Sequence, residues 1–243
     1  MAFLLTYKRF GERSILVEWP AKIDSEILED ILCLKEKILN NSVKELVEVK
    51  TAYNSLLIIY KEFIESESTE ISYIDKIYSL NEFAITSNKI LWKIPVCYDV
   101  SFGIDLEMIS EEKNMLKADI ITCHSKSLYT IYFIGFLPGF LYLGGLDETL
   151  FTPRKATPRL KIEKGAVAIG GNQTGIYPQE SPGGWNVIGN SPINFFDSSK
   201  KKPCFAKAGD QLQFYPISLK EHQHIKTLVD ANVYQLESEV LNG

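Results

Sequence analysis

Period-two and period-3.6 runs of apolar residues alternate through the first third of the chain. In residues 14–19, Ile15, Val17 and Trp19 share one face, which predicts a strand ended by Pro20. Asp24 or Ser25 then caps a helix with apolar positions Ile27, Leu28, Ile31, Leu32, Cys33, Ile38 and Leu39. Its acids (Glu26, Glu29, Asp30) come early and its lysines (Lys35, Lys37) late, as the helix dipole favours. Residues 43–49 and 55–60 predict a hairpin. Thr69 opens a second helix with Ile71, Ile74, Ile77 and Tyr78 on one face, and residues 89–94 predict a further strand. The order β-α-β-β-α-β is the ferredoxin-like pattern, so residues 1–93 are expected to form a small α/β domain.

The texture changes at Pro95. Two short helices are expected near residues 105–112 and 114–124. Short apolar runs cut by Gly and Pro then follow, from Tyr129 to Pro216. Of 15 glycines, 12 lie between positions 135 and 209, and eight of the ten prolines lie between 138 and 216. Turn signals at that density predict a closed or sandwiched β domain, with a last helix near residues 220–229. The expected fold class is α+β, the second domain spanning residues 94–243.

Composition narrows the function. The chain has 243 residues and a net charge of −5, which disfavours a binder of nucleic acid or of an anionic membrane surface. The N-terminus lacks the apolar stretch of a secretory signal, and no segment is long and apolar enough to span a membrane. Cys33, Cys97, Cys123 and Cys204 are scattered without a CxxC pair, which fits free thiols in a reducing cytoplasm better than a metal site. The His222–His224 pair would point ~200° apart on a helix, so it offers no joint ligand face. No metal is expected, and the cytoplasm is the expected compartment.

The candidate chemistry lies in residues 135–185. Phe136 and Phe140 flank a Pro-Gly turn. Arg154 and Arg159 each follow a proline, in a chain that has only four arginines against 22 lysines. An arginine fork binds carboxylate or phosphate bidentately in a way lysine cannot. The pair therefore reads as an anion site, with ordinary salt bridges as the alternative. Residues 151–220 agree, carrying ten Lys and Arg against four Asp and Glu, a local +6. The glycine-rich run 170–175 can present backbone N–H groups to an anion, although no Walker-type lysine follows it. Gln173, Tyr177 and Trp185 are groups that line polar small-molecule pockets. Ser181 lacks a nucleophile elbow. His124 reads either as a hydrogen-bonded structural residue or as an acid or base.

Taken together, H-x4-Y, GF-x-PGF-x-YL, PR-x3-PR, Q-TGIYP, SPGGW and a late GD-x3-F closely resemble the signature of the KipI family, also called the 5-oxoprolinase B subunit or allophanate hydrolase subunit 1. The stretches at 94–98 and 103–106 extend the likeness, which is strong over about residues 94–217. The resemblance implies a small α/β domain followed by a cyclophilin-like β-barrel. It further implies a complex with a KipA-like C subunit and a separate A subunit, which together use ATP to open 5-oxoproline to glutamate. Under it His124, Arg154 and Arg159 are expected catalytic residues, and Phe136, Phe140, Gln173, Tyr177, Ser181 and Trp185 are expected to bind substrate. Inhibition of a sensor histidine kinase is one alternative function. A part in a urea-amide carboxylase system is another, because urea carboxylases carry a related barrel pair. Gly11-Glu12 and Ile104 depart from common family residues, outside the barrel motif.

Overall fold

The computed structural model describes residues 3–80 and 88–241. The chain divides into two compact units, Met1–Ser87 and Asn88–Gly243.

The first unit is a four-stranded antiparallel sheet with two helices. Its elements are β1 (Thr6–Arg9), β2 (Ser14–Glu18), α1 (Ser25–Asn41), β3 (Leu46–Thr51), β4 (Ser55–Tyr60) and α2 (Glu67–Tyr78), and the sheet order is β1-β2-β4-β3. Alternation decides which face is covered: Ile15 and Val17 of β2, and Leu56, Ile58 and Tyr60 of β4, lie in the core against Ile27, Ile31, Leu34 and Ile38 of α1. Asp24 caps α1 through the Glu26 N–H (2.8 Å). The helix turns Leu34 inward rather than Leu39, which is 48% exposed. Lys37, buried on the same helix, donates from Nζ to the Tyr78 and Leu80 carbonyls (3.0 and 2.6 Å), tying α1 to the end of α2.

The second unit begins with β5 (Lys89–Cys97), α3 (Leu106–Lys113), α4 (Lys117–Lys126), β6 (Leu128–Ile134) and β7 (Leu141–Gly144). It continues with β8 (Arg159–Ile162), β9 (Ala166–Gly170), β10 (Gln173–Ile176), β11 (Ser181–Gly183) and β12 (Asn186–Asn190). It ends with β13 (Gln211–Ile217), α5 (Leu219–Asp230) and β14 (Ser238–Leu241). Strands run β12-β9-β10-β7-β6-β13-β5, and a β12–β5 pairing at Asn190 and Cys97 closes the ring, so the barrel has seven strands. Strand β14 adds to β5 outside that closure, and β8 and β11 form a separate two-stranded ribbon. Ile94, Val96, Ile131, Leu143, Val167, Ile169, Ile188 and Phe214 fill the interior. Asp210, 1% exposed, accepts from the Ile90 N–H, Trp92 Nε1 and the Lys207 N–H, pinning the loop before β13 to the start of β5. The fold is α+β, a closed barrel and a separate sheet.

One strand differs from its expected partner. Residues 89–94, expected to complete the ferredoxin-like sheet, belong to β5, which pairs in parallel with β13 in the barrel. The place beside β2 is taken by β1, folded back through a turn in which Gly11 has φ +82°. Pro95 lies inside β5 rather than at its end. The Lys93 N–H points to the β14 side, where it donates to the Glu237 carbonyl. By the strand period, position 95 faces that same side. There it lies between the β14 register, which ends at Trp92, and the β12 contact at Cys97, so no ladder bond is lost.

Candidate functional site

Strand β9 alternates across the barrel wall. Val167 and Ile169 face the interior, and Ala166 and Ala168 face outward. On the small outer side chains rests a second cluster: Phe140, Ile162, Tyr177, Trp185 and Val187. Two glycines make room for it. A Cβ on Gly170 would stand 2.6 Å from the Trp185 ring, and one on Gly183 would stand 2.4 Å from Tyr177 Oη. Phe140 is the hub, meeting Tyr177, Trp185 and Tyr142 at centroid distances of 5.4, 5.6 and 4.9 Å. These separations are those of favourable edge-to-face aromatic pairs. Phe136 joins edge-on at 5.6 Å, yet it is 63% exposed and holds φ at +63°. A bulky residue in that region is strained, and the turn bonds Leu137 N–H to Gly135 O (2.7 Å) and Phe140 N–H to Leu137 O (3.0 Å) keep it there.

The segment carrying the two arginines crosses next to this plate. Thr152 and Gly171 exchange backbone bonds of 3.1 and 2.7 Å, Asn186 Nδ2 donates to the Pro153 carbonyl (2.9 Å), and the Lys155 N–H donates to the Gly184 carbonyl (2.7 Å). Arg154, between these anchors, is exposed and makes no ion pair or side-chain hydrogen bond with the described residues. Its charge reaches two phenols of the plate. Burial raises the Tyr142 and Tyr177 hydroxyls above their ordinary range, and Arg154 pulls both back.

Arg159, the second arginine expected at the site, is engaged inside the fold. Its Nη1 and Nη2 hold the two carboxylate oxygens of Asp105 at 2.8 and 2.7 Å, so the anion it binds is internal. Lys155 Nζ adds a contact of 2.8 Å and the Val187 N–H another of 2.7 Å. Asp105 is 3% exposed. Burial alone would raise its pKa, but the hydrogen bonds from Arg159, Lys155 and Val187 prevail and hold it below the usual carboxylate range.

His124, expected as a catalytic residue, lies inside the barrel. It is 0% exposed in the barrel core, with Nδ1 2.8 Å from Tyr98 Oη and Nε2 3.0 Å from Thr174 Oγ1. It also stacks on Phe214 at 4.6 Å. Burial lowers its pKa to about 3, so the ring is neutral near pH 7. Of its two sequence readings, the geometry matches the structural one.

Ser181 is buried, and its hydroxyl turns back to the Pro182 carbonyl (3.2 Å) without a histidine or carboxylate beside it among the described residues. Gln173 is half-buried opposite Gly170 at the start of β10. The structure thus gathers Phe140, Tyr177 and Trp185 on the outer side of the barrel wall, with Phe136 and Arg154 exposed next to them, and it holds His124 and Arg159 in internal hydrogen bonds.

The glycine-rich run 170–175 is the turn of the β9–β10 hairpin. Gly171 bonds Thr152 through both N–H and C=O, and a strand follows rather than a helix. It therefore does not fit a polyphosphate, which needs free N–H groups and a helix N-terminus. Among the described residues no three His, Cys, Asp or Glu side chains converge as metal ligands. None of the described helices is long and apolar enough to cross a membrane. Two cavities open on the barrel unit, of about 230 and 400 Å³, and Arg159 is the only expected site residue that borders either. Sequence reading did not assign functions to Asp105, Asn190 or His222. The Gly103-x-Asp105-Leu106 stretch and the paired histidines were the available signals.

A seven-stranded barrel in one unit and a small α/β sheet in the other define the class, and comparison places it. The chain belongs to the family described as the carboxyltransferase domain, subdomain C and D, which it matches over residues 5–206. It is similar to the 5-oxoprolinase B subunit of Bacillus subtilis (strain 168), with 30% identity over 230 residues, 90% of this chain and 95% of that one. It is also similar to the 5-oxoprolinase B subunit of Haemophilus influenzae, with 38% identity over 173 residues, 71% of this chain and 80% of that one. The crystal structure of Kluyveromyces lactis urea amidolyase matches its fold with a TM-score of 0.81 at 21% identity, over 97% of this chain and 16% of that one.

Proposed function

We propose that this chain is the B subunit of an ATP-dependent 5-oxoprolinase, a heteromeric cytoplasmic hydrolase that opens 5-oxoproline to glutamate. The near end-to-end similarity to proteins of that name carries the reading. The partners are the A subunit and the barrel-bearing C subunit. The likeness to urea amidolyase is one of fold and covers a small part of that enzyme, so the urea-amide alternative has weaker support.

The surface around Arg154 suits the substrate. 5-Oxoproline is a small ring with one carboxylate. A guanidinium fork free of internal partners binds the carboxylate, and the exposed Phe136 ring offers an apolar face to the lactam. ATP, held by the assembled complex, supplies the activation that a poorly electrophilic lactam amide needs. This chain's share is orientation and charge compensation.

Reconstitution with the A and C subunits, reading glutamate release, tests the proposal. Arg154→Lys is expected to lower kcat/KM by at least tenfold without shifting the melting temperature, since Arg154 is exposed and holds nothing in the fold. Unchanged turnover in that variant removes Arg154 from the site. Absence of glutamate release from a correctly assembled wild-type complex removes the function.

A further inference from the structure

The larger cavity, about 400 Å³, lies between the loop after β12, the turn before β9 and helix α5. Its size is that of a small-molecule site, whereas the 230 Å³ neighbour falls short of one. None of Arg154, Phe140, Tyr177 and Trp185 lines it.

Its floor is built rather than incidental. His222 on α5 is 5% exposed and Asn190 6%. Asn190 Nδ2 donates to the Lys164 carbonyl (2.9 Å), which turns Oδ1 toward His222 Nε2, 2.9 Å away. Nε2 therefore carries the proton and Nδ1 is a bare acceptor. Burial and the nearby Lys226 charge lower the His222 pKa, which keeps the ring neutral. Nδ1 has no hydrogen-bond partner among the described residues. It is also not one of their sealed unsatisfied atoms, so it is open to solvent, on a ring that borders the cavity. Phe102 covers the other face of the ring at 4.5 Å. Gly165, at φ +82°, lets the wall close in, because a Cβ there would strike the Ser191 carbonyl at 2.2 Å.

The rim decides the ligand's charge. Lys164 and Lys226 are exposed there, and so are Glu163 and Asp230; Asp197 is bonded to Ser199 and lies near Lys200. A mixed rim repels a polyanion and accepts a single carboxylate beside a cation.

We infer that this cavity binds a small carboxylate that also carries an N–H donor, an α-amino acid or its lactam, with the N–H on His222 Nδ1 and the carboxylate at Lys226. The inference rests on the proposed function only for the choice of probes, 5-oxoproline and glutamate. Calorimetry on the full chain carrying Arg154→Lys, which removes the proposed substrate face from the measurement, is expected to show saturable binding of at least one of them. 2-Pyrrolidinone, which lacks the carboxylate, and N-methyl-5-oxoproline, which lacks the donor, are expected to bind at least tenfold more weakly than 5-oxoproline if the lactam is the ligand. If the amino acid is the ligand, glutamate alone saturates. His222→Gln and Lys226→Gln, each added to that background, are expected to weaken binding at least fivefold. Lys226 is exposed, so its variant decides the matter if His222→Gln fails to fold. No saturable binding of either probe overturns the inference, as does binding that survives both added substitutions. An active reconstituted complex without such binding rejects the cavity and keeps the subunit assignment. His222-dependent binding in a chain that supports no turnover does the reverse.

Discussion

Asp105→Ala is expected to destabilise the barrel by ~3–5 kcal/mol, the range for removing one partner of a buried ion pair. The carboxylate is 3% exposed and satisfies Arg159, Lys155 and the Val187 N–H together. Its loss leaves two half-buried cations beside each other and one buried donor without an acceptor. Asp105→Asn is expected to cost less, because an amide oxygen still receives the Val187 N–H. The pKa is depressed in the folded state, so this stabilisation is complete above the ordinary carboxylate pKa and is lost as pH falls through the lower folded value. Urea denaturation of the wild type and both variants, followed through Trp92 and Trp185, measures the difference. An effect of Asp105→Ala below ~1 kcal/mol would place this ion pair among ordinary surface salt bridges.

The second large effect is acid sensitivity from His124. Folded His124 has a pKa of about 3, lowered by burial, against ~6.5 in an unfolded chain. Between those values the unfolded state binds a proton that the folded state does not. Stability is therefore complete above pH ~6.5 and falls on acidification, by ~2 kcal/mol between pH 7 and pH 5. His222, also depressed, acts with the same sign. His124→Gln is expected to be less stable at pH 7, because Tyr98 Oη and Thr174 Oγ1 lose well-placed partners. It is also expected to lose most of the pH 7 to pH 5 difference. A variant that keeps the full wild-type slope would show that the slope arises elsewhere. The His124 window lies above the Asp105 window, so titration separates them.

Local signals were legible where local physics decides. The faces of β2 and β4, the Asp24 cap and the turn-rich barrel follow from alternation, capping and glycine placement. Partner choice was not legible. Residues 89–94 read as a strand and are one, but a period of two does not say which strand lies alongside. The arginine pair was legible as a demand for anions. It was silent on their source, and one anion proved to be Asp105, 54 positions away. The glycines of the 135–185 stretch read as turns or anion nests, whereas Gly170 and Gly183 clear space for aromatic rings. His124 was ambiguous because burial, which decides its protonation, has no local signature. The outer aromatic face was legible residue by residue. Its assembly required the Ala166 and Ala168 positions of β9, which the sequence presents as one apolar run with Val167 and Ile169.

The order in which the barrel closes has a consequence for biosynthesis. Strand β5 is made early, yet its ladder partners are β13 and β14, more than 110 residues further along, and its closing contact is Asn190. On the ribosome, residues 89–97 wait as an unpaired apolar strand until more than 110 further residues have emerged. Contacts so distant in sequence fold slowly, and the waiting edge is open to pairing with other nascent chains. The Met1–Ser87 unit contains all the strands of its own sheet and is free to fold first. Faster elongation after residue 89, or a chaperone that shields an extended strand, is expected to raise the yield of the soluble chain, and slower elongation to lower it.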